Sequence, residues 1–464
     1  MDRRSLIVAG VLGVALLAAI GVGIGLTTGG GGNSAVKTPT TSSTTIAPPV
    51  ASSTTTSSTP IVSPSTVNVP KPSVVITPTT GPTTPTTTPT GQPGITNTTI
   101  RVGVIADSAA VAHGVEAWAY TLNQAGGLAG RTVKVDAHVV TSPAVYAAAV
   151  ANVCTTDFAV VGSSSQFDGQ TGGFACGIPD LATLLFTSAH QALPNSFAVL
   201  PERAGVVSVG AFKQLLSTVS GCCRQFVLVP TVDPGRGIVA ASARGAAAAG
   251  FTTAGTPEVP AGAGPAEYKK LVAALVAEKA TFARSGLGAA STVALRKAAA
   301  ADPASSVVQA WYCAQECADP PFLAEGGAAV EGQYVDVPAN PLSDQAAVPA
   351  IATYVQAAQH FGGPTVAGLE SNAAGLLFEQ VVKQVVATSG VNGITRSRVV
   401  AAVTTVHSFT AGGILGTTDV GGRQPTGCFA LLQVKNGQLT RVFPTTAGEL
   451  NCGSQNLQNV PKGA

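Results

Sequence analysis

The sequence predicts an α/β protein made of two successive units, each with a parallel sheet covered by helices on both faces. From residue 95 onward, short β-rich apolar runs alternate with segments whose apolar residues recur at helical spacing. Such alternation is typical of a parallel sheet. It begins a second time after about residue 200. An apolar N-terminus and an even number of cysteines, eight, indicate that the protein folds outside the cytoplasm.

In the first unit, four apolar runs predict strands and three periodic runs predict helices. The predicted strands are TIRVGVIAD, RTVKVDAHVV, DFAVVG and DLATLLFTS. The predicted helices are VAHGVEAWAYTLNQ, which ends at a Gly-Gly stop, PAVYAAAVANVC, and one that begins at TGGFACG.

The second unit repeats this plan after FAVLPER. Its predicted helices are GVVSVGAFKQLLSTV, GIVAASARGAAAAG and EYKKLVAALVAEK, and its predicted strands are RQFVLVPTVD, TAGTPEV and SSVVQAWYC, with the Gly-rich SGLGAAS as a turn. Two further segments follow, VPAIATYVQAAQHFG and the helix AAGLLFEQVVKQVVATSG. CFALLQVKNGQLTRV then predicts a closing hairpin around Asn436-Gly437.

Residues 1–26 predict an N-terminal signal anchor. Arg3 and Arg4 precede 22 uncharged residues, 5–26. A membrane-spanning helix needs about 20 apolar residues, whereas the core of a cleaved signal peptide has about 7–15. We expect an uncleaved transmembrane helix whose arginines stay in the cytoplasm, so that the rest of the chain is extracytoplasmic and held at the cell membrane. A cleaved signal is the alternative, and the protein would then be secreted.

Residues 27–94 predict a disordered linker. The segment consists mostly of Thr, Ser, Pro and Gly, and Lys37 and Lys71 are its only charged residues. So few apolar residues cannot offset the entropy lost on ordering. We expect an extended stalk between the membrane and the folded part.

Composition and motifs argue against several function classes. The net charge is +2 and aromatic residues make up 5%, which gives no basic face and few stacking platforms for nucleic acid. No GxxxxGK[ST] phosphate loop is present, and the first strand ends in GVIADSAA instead of GxGxxG. We therefore predict no nucleic-acid partner and no cofactor.

The serine run also fails as a hydrolase nucleophile. GSSSQ lacks the final glycine of the GxSxG elbow, and no acid and histidine at suitable strand ends complete a triad. The sequence therefore predicts a protein that is not an enzyme.

The cysteines predict a disulfide framework instead of a metal site. Paired CxxC spacing is absent, and the five histidines are scattered. Cys222 and Cys223 are adjacent, and the sequence does not assign their partners. The candidate pairs are Cys154 with Cys176, Cys313 with Cys317, and Cys428 with Cys452.

Segments in collinear order resemble the type I periplasmic binding proteins, in particular their leucine/isoleucine/valine-binding branch, which serves ABC importers. They are ITNTTIRVGVIAD, LNQAGGLAGRTVKV, VCTTDFAVVGSSS, GIPDLATLLFTSAH, ADPPFLAEGGAAVEGQYV and FTAGGILGTTDVGGRQPTGCFALLQVKNGQ. The resemblance covers roughly residues 95–445. It implies two Rossmann-like lobes joined by three crossings, near Pro201, Val335 and Phe409.

The resemblance also implies domain boundaries. The folded domain would span residues 95–450, followed by a C-terminal tail, 451–464. Lobe 1 would contain about 96–200 and 336–408, and lobe 2 about 201–335 and 409–450.

The ligand site is predicted where strands of both sheets end. Ligands of open α/β sheets lie outside the carboxyl ends of the strands. Ser163, Ser164 and Ser165 follow such a strand, and free N–H groups with hydroxyls there suit a small carboxylate. The alternative is that these serines only cap a helix.

Four residues at the end of the next strand match the family's second contact segment, and one acid follows a strand of lobe 2. These candidates are Thr187, Ser188, Ala189 and His190 in lobe 1 and Asp233 in lobe 2. His190 has a purely structural role as its alternative. Glu316 and Asp319 are possible partners of an ammonium group, with solvated loop acids as the alternative.

Together these features predict an extracytoplasmic solute-binding protein that closes on a small polar ligand, such as an amino acid, amide or carboxylate, and presents it to an ABC permease. The alternative is a membrane-tethered sensor or cell-surface interaction module with the same fold.

Overall fold

The computed structural model of the protein describes residues 91–460. The predicted anchor and nearly all of the predicted linker lie outside the described residues. Within residues 91–460, no helix has the length and apolar character needed to cross a bilayer.

The first sheet is parallel throughout. Its strands follow the order β2-β1-β3-β4-β5. They are β1 (Thr99–Ala106), β2 (Thr132–Val139), β3 (Ala159–Val161), β4 (Asp180–Ala182) and β5 (Ser196–Ala198). The helices between them are α1 (Ala109–Gln124), α2 (Pro143–Thr156) and the short α3 (Ser188–Gln191), with a 3-10 helix at Thr171–Cys176.

The second sheet is mixed. β6 (Val206–Ser208) precedes it in the chain, and the sheet runs in the order β14-β13-β12-β11-β10-β7-β8, with β9 beside β7. Its strands are β7 (Arg224–Pro230), β8 (Thr252–Gly255), β9 (Glu258–Val259), β10 (Phe282–Ser285), β11 (Ala310–Cys313), β12 (Gln333–Val337), β13 (Ala430–Lys435) and β14 (Gln438–Phe443). Its helices are α4 (Gly210–Thr218), α5 (Gly235–Ala248), α6 (Pro265–Ala277), α7 (Ala289–Ala300) and α8 (Pro320–Gly326).

The parallel parts of the two sheets have the same strand order. The first sheet has the order β2-β1-β3-β4-β5. The parallel part of the second sheet, β8-β7-β10-β11-β12, has the same order when its strands are numbered along the chain without β9. The prediction of two α/β units is therefore confirmed, but the second sheet is not parallel throughout, because β13 and β14 extend it in antiparallel pairing. In this order the helices change faces between the first and third strands, and ligands of such sheets bind at that point. The two switch points are β1/β3 and β7/β10.

Three later helices return to the first sheet. They are α9 (Pro349–Ala358), α10 (Val366–Ser389) and α11 (Arg396–Val403). Helices α10 and α1 touch closely because small residues face each other: a Cβ on Gly114 would lie 2.0 Å from the carbonyl oxygen of Gly368. Phe409, Ile414 and Val420 also belong to this core. The chain thus returns to the second sheet after Val420, later than the crossing expected near Phe409.

Three predicted elements differ in the structure. TGGFACG forms a 3-10 helix, and DLATLLFTS forms only the three-residue β4. Directly after β4, the N–H of Thr183 bonds to the carbonyl of Ser163 at 2.9 Å. The predicted helix GVVSVGAFKQLLSTV begins as a strand, since Val206–Ser208 pair with Leu457–Asn459.

That pairing brings the predicted C-terminal tail into the fold. Leu457–Asn459 form β15, antiparallel to β6. Asn456, just before β15, is buried and donates through Nδ2 to the carbonyl of Gly427 at 2.9 Å. Residues up to 460 therefore form part of the domain.

The predicted disulfides and the hairpin are present. The structure joins Cys154–Cys176, Cys313–Cys317 and Cys428–Cys452, and it pairs the adjacent Cys222 and Cys223. No cysteine is free in the part of the chain that the structure describes. Asn436 and Gly437 have φ of 54° and 71°, the positive values of a two-residue type I′ turn between β13 and β14.

Candidate ligand site at the strand ends

Gly162 sets the direction of the serine loop, which we define as residues 162–168. Its φ is 75°, and a Cβ there would lie 2.4 Å from Cγ2 of Val115. Only glycine fits a left-handed backbone packed this closely against α1. The chain therefore leaves β3 sharply and brings the serines to the β1/β3 switch point.

The three serines have different environments. Ser163 is 5% exposed, and its Oγ accepts the N–H of Ile105 at 2.9 Å. Ser165 is 2% exposed and donates to Oδ1 of Asp107 at 2.5 Å. Ser164 is half-buried and is the one serine of the loop with appreciable access. Ser163 and Ser165 hold the loop against β1, and Ser164 faces outward.

Carboxylates of the chain itself occupy several N–H groups of this region. Asp107, directly after β1, accepts the N–H of Gln166 at 2.7 Å. Asp168 accepts the N–H groups of Phe186 and Thr187 at 2.7 and 3.0 Å. Burial raises the pKa of Asp107, although its hydrogen bonds from Ser165 and Gln166 act in the opposite direction. The sequence analysis missed both acids; an acid directly after the first strand was the available signal for Asp107.

The second predicted segment forms the short helix α3. Thr187 caps it, accepting the N–H of His190 at 3.3 Å. Ser188 and Ala189 are exposed, whereas His190 is 1% exposed. Ser188 and Ala189 thus lie at the surface beyond β4, on the same sheet edge as Ser164.

The His190 ring lies inside the protein between two carboxylates. Nε2 is 2.8 Å from Asp180 and Nδ1 is 3.4 Å from Asp168, and the tilted ring of Phe174 packs against the imidazole at 4.8 Å between centroids. Burial alone would lower the pKa of His190, but the two carboxylates raise it to about 9. These contacts favour the alternative given for His190, a purely structural role.

In the second lobe, Asp233 lies in the loop after β7. It is exposed, and its Oδ1 accepts the N–H of Gly237 at 3.2 Å at the start of α5. The loop after β10 begins at Gly286, where a Cβ would lie 2.5 Å from Val239. The β7/β10 switch point is thus closely packed, with Asp233 at its outer side.

A polar cluster lies near the ends of β10, β11 and β12, and the sequence analysis named only Glu316 of it. The Tyr312 hydroxyl donates to Asp336 at 2.5 Å, and the buried Arg284 donates to Ser242 at 2.9 Å. The Arg284 guanidinium lies 5.4 Å from the ring centre of Tyr312. Burial raises the pKa values of Glu316 and Asp336, and the Arg284 charge opposes this. A single arginine within the apolar run FARSG was the signal for this cluster.

The start of α10 connects the strand ends of the two sheets. A Cβ on Gly162 would lie 3.3 Å from Cβ of Ser371. The neighbouring Glu370 accepts a hydrogen bond of 3.2 Å from Gln315, two residues after β11. Asp319 accepts the N–H of Val366 at 2.6 Å. The carboxyl ends of β3 and β11 thus converge on one turn of helix.

Among the described residues, one cluster has metal-ligand composition, and a cation of the protein lies within it. Asp136, His138 and Asp157 offer ligand atoms within 4.8 Å of one another. The Arg101 guanidinium lies 2.9 Å from Asp136 and 3.4 Å from Asp157. These contacts explain the cluster as an ion-pair network.

Comparison with known proteins identifies the family. Residues 95–438 match the family model described as periplasmic binding protein. Similar structures include a substrate-binding periplasmic protein from Ralstonia solanacearum, with 17% identity, 74% of this chain and 100% of that chain covered, and a TM-score of 0.62. A fatty acid ABC transporter substrate-binding protein from Thermomonospora curvata has 17% identity, coverages of 76% and 93%, and a TM-score of 0.60.

A further similar structure is an ABC transporter substrate-binding protein from Desulfitobacterium hafniense in complex with Leu. It has 16% identity, coverages of 74% and 100%, and a TM-score of 0.55. No curated protein sequence matches this chain. At these identities the solved structures establish the fold, and the family model, which spans most of the chain, establishes the membership predicted above. The chain belongs to the periplasmic binding protein family.

Proposed function

We propose that this protein is an extracytoplasmic solute-binding protein that holds a small polar ligand between two lobes and presents it to an ABC importer, without catalysing a reaction. The observation that carries this proposal is the convergence of β3 and β11 on the start of α10. Two sheets whose carboxyl ends meet form a crevice, and closure of two lobes around such a crevice is a common response to ligand.

The relatives support a small ligand with a carboxylate or amino-acid group. Structures with this fold are named for complexes with Leu, with benzoate and with 4-hydroxybenzoate, and one is named a fatty acid binder. We propose an amino acid, amide or carboxylate for this chain.

The accessible candidates of the first lobe are Ser164, Thr187, Ser188 and Ala189, and we propose these as ligand contacts. Asp233 would approach from the second lobe. Ser163, Ser165 and His190 would act indirectly, because their side chains are buried and engaged with Ile105, Asp107 and the carboxylates beside the ring.

We further propose that residues 1–26 anchor the protein to the membrane and that residues 27–94 serve as the tether. The two lobes would be joined by three crossings. A tether of this kind keeps the binding domain near a membrane partner. A permease and a sensor partner would both be within reach, so the tether by itself does not discriminate between them.

The test is thermal denaturation of the full chain, with its disulfides intact, against leucine, small amides, urea, benzoate and short carboxylates. A ligand at one hundred times its dissociation constant adds about 2.7 kcal/mol to the stability of the folded state, which raises the melting temperature by a few degrees. The double variant Ser164→Ala with Ser188→Ala should abolish this rise. Ser220→Ala, an exposed serine after α4, should leave it unchanged. If no compound changes the melting temperature, the sensor or interaction-module alternative is favoured.

A further inference from the structure

We propose that the ligand carries a cationic nitrogen, held by Glu370 of the first lobe together with Asp319 and Gln315 of the second. This inference rests on the proposed function, because it specifies the chemistry of the same crevice. It adds a ligand contact on α10 that the resemblance did not indicate.

Glu370 is buried with half of its carboxyl group unpartnered. The residue is 2% exposed, and Oε2 accepts the hydrogen bond from Gln315 at 3.2 Å. Oε1 is buried and has no hydrogen-bond partner among the described residues. Buried polar atoms without partners are rare because they give up hydration without compensation. Oε1 is therefore an acceptor that a donor of a bound ligand would satisfy.

The surroundings of Glu370 are acidic. The carboxyl group of Asp319 acts on it as a like charge, and within residues 91–460 no ion pair involves Glu370 or Asp319. Burial and, to a smaller extent, the Asp319 charge raise the pKa of Glu370 to about 8, and the Gln315 hydrogen bond opposes this shift. Burial also raises the pKa of Asp319. An amine or guanidinium would compensate both carboxylates at once.

The positions of Glu370 and Asp319 favour a role in lobe closure. Gln315 and Asp319 follow β11 of the second sheet, and Glu370 lies in the first turns of α10, beside the end of β3. A cation between them would contact residues of both sheets. Its binding free energy would then favour the closed arrangement over the open one.

The probes are matched pairs that differ in charge: benzylamine with benzoate, and 3-methylbutylamine with 4-methylpentanoate, with leucine carrying both groups. Binding to the full chain is measured by calorimetry for the wild type, Glu370→Gln and the control Glu325→Gln. Glu325 is an exposed acid on α8. We expect the amines or leucine to bind, and Glu370→Gln to weaken their affinity roughly ten-fold or more, since a charge-assisted contact is lost. Glu325→Gln should change it by less than about two-fold.

Glutamine has the shape of glutamate and keeps an acceptor for Gln315, so the ligand-free Glu370→Gln protein should melt at or above the wild-type temperature. A second variant, Asp319→Asn, keeps an acceptor for the Val366 N–H and should also weaken amine binding. If only carboxylate or neutral probes bind, and Glu370→Gln binds them as well as the wild type, the proposed function stands and the cationic ligand is rejected. If no probe binds the wild type, the cationic ligand is rejected, and the proposed function is then decided by the amides, urea and short carboxylates of the thermal test.

Discussion

The imidazole of His190 lies 2.8 Å from Asp180 and 3.4 Å from Asp168, and it joins the loops that follow β3 and β4. Asp168 also accepts the N–H groups of Phe186 and Thr187, so one carboxylate holds both the histidine and the chain before α3. This network holds the chain that leads to the exposed Ser188 through buried side chains and backbone N–H groups.

The network predicts a loss of stability at alkaline pH. The pKa of His190 is about 9 in the folded protein, against 6.5 for an ordinary histidine. The stabilisation is therefore fully present below pH 6.5 and is lost as the pH rises through 9. Each pKa unit corresponds to about 1.4 kcal/mol, so the effect is on the order of a few kcal/mol. The melting temperatures of the wild type and of His190→Gln should converge between pH 7 and pH 9.5. If the difference between them stays constant over this range, His190 is not the group whose protonation stabilises the fold.

Ser163 and Ser164 should differ in their effect on stability. Ser163→Ala leaves the buried N–H of Ile105 without its acceptor, and we expect a loss of about 1–3 kcal/mol. Ser164→Ala should change the free energy of unfolding by less than about 0.5 kcal/mol. Urea denaturation of both variants measures the difference. Equal losses would mean that the serine loop adopts another conformation in solution.

Asn456 should anchor the C-terminal segment. Its Nδ2 donates to the carbonyl of Gly427 and to Oδ1 of Asn451 at 2.9 and 2.7 Å. We expect Asn456→Ala to lower the free energy of unfolding by about 1–3 kcal/mol, because buried acceptors lose their donor. Gln455→Ala, at the exposed neighbouring position, serves as the control. A result in which both variants match the wild type would show that β15 does not stabilise the domain.

The disulfides should all be formed in the exported protein. Titration of the denatured, unreduced chain should detect no free thiol, and reduction should release eight. Replacing Cys428 and Cys452 together by alanine removes a link between residues separated by 24 positions. We expect a loss of about 2–4 kcal/mol in the free energy of unfolding. Free thiols before reduction would contradict the pairing.

Much of the fold could be predicted because it depends on local patterns. Alternating strands and helices identified two sheets of the same plan, and Asn436-Gly437 identified a hairpin. The predictions failed where distant chain segments compete with local preference. Val206–Ser208 look helical in sequence, but they pair with a strand about 250 residues later.

The candidate site was predicted less completely. Ser164 and Ser188 are accessible at the expected strand ends, but Ser163, Ser165 and His190 are buried behind them. A run of three serines does not show which hydroxyl faces outward, because that depends on the turn at Gly162 and on the carboxylate of Asp107.

The sequence by itself determined the α/β class, the family, the pairing of six cysteines and the strand ends at which a ligand site is expected. These features follow from hydrophobic periodicity, short separations along the chain and collinear motifs. The tertiary structure decided which side chains are buried, and it brought Glu370 to Gln315 across 55 positions of sequence. Burial and hydrogen bonding between distant segments depend on how the two sheets meet, and no local pattern encodes that arrangement.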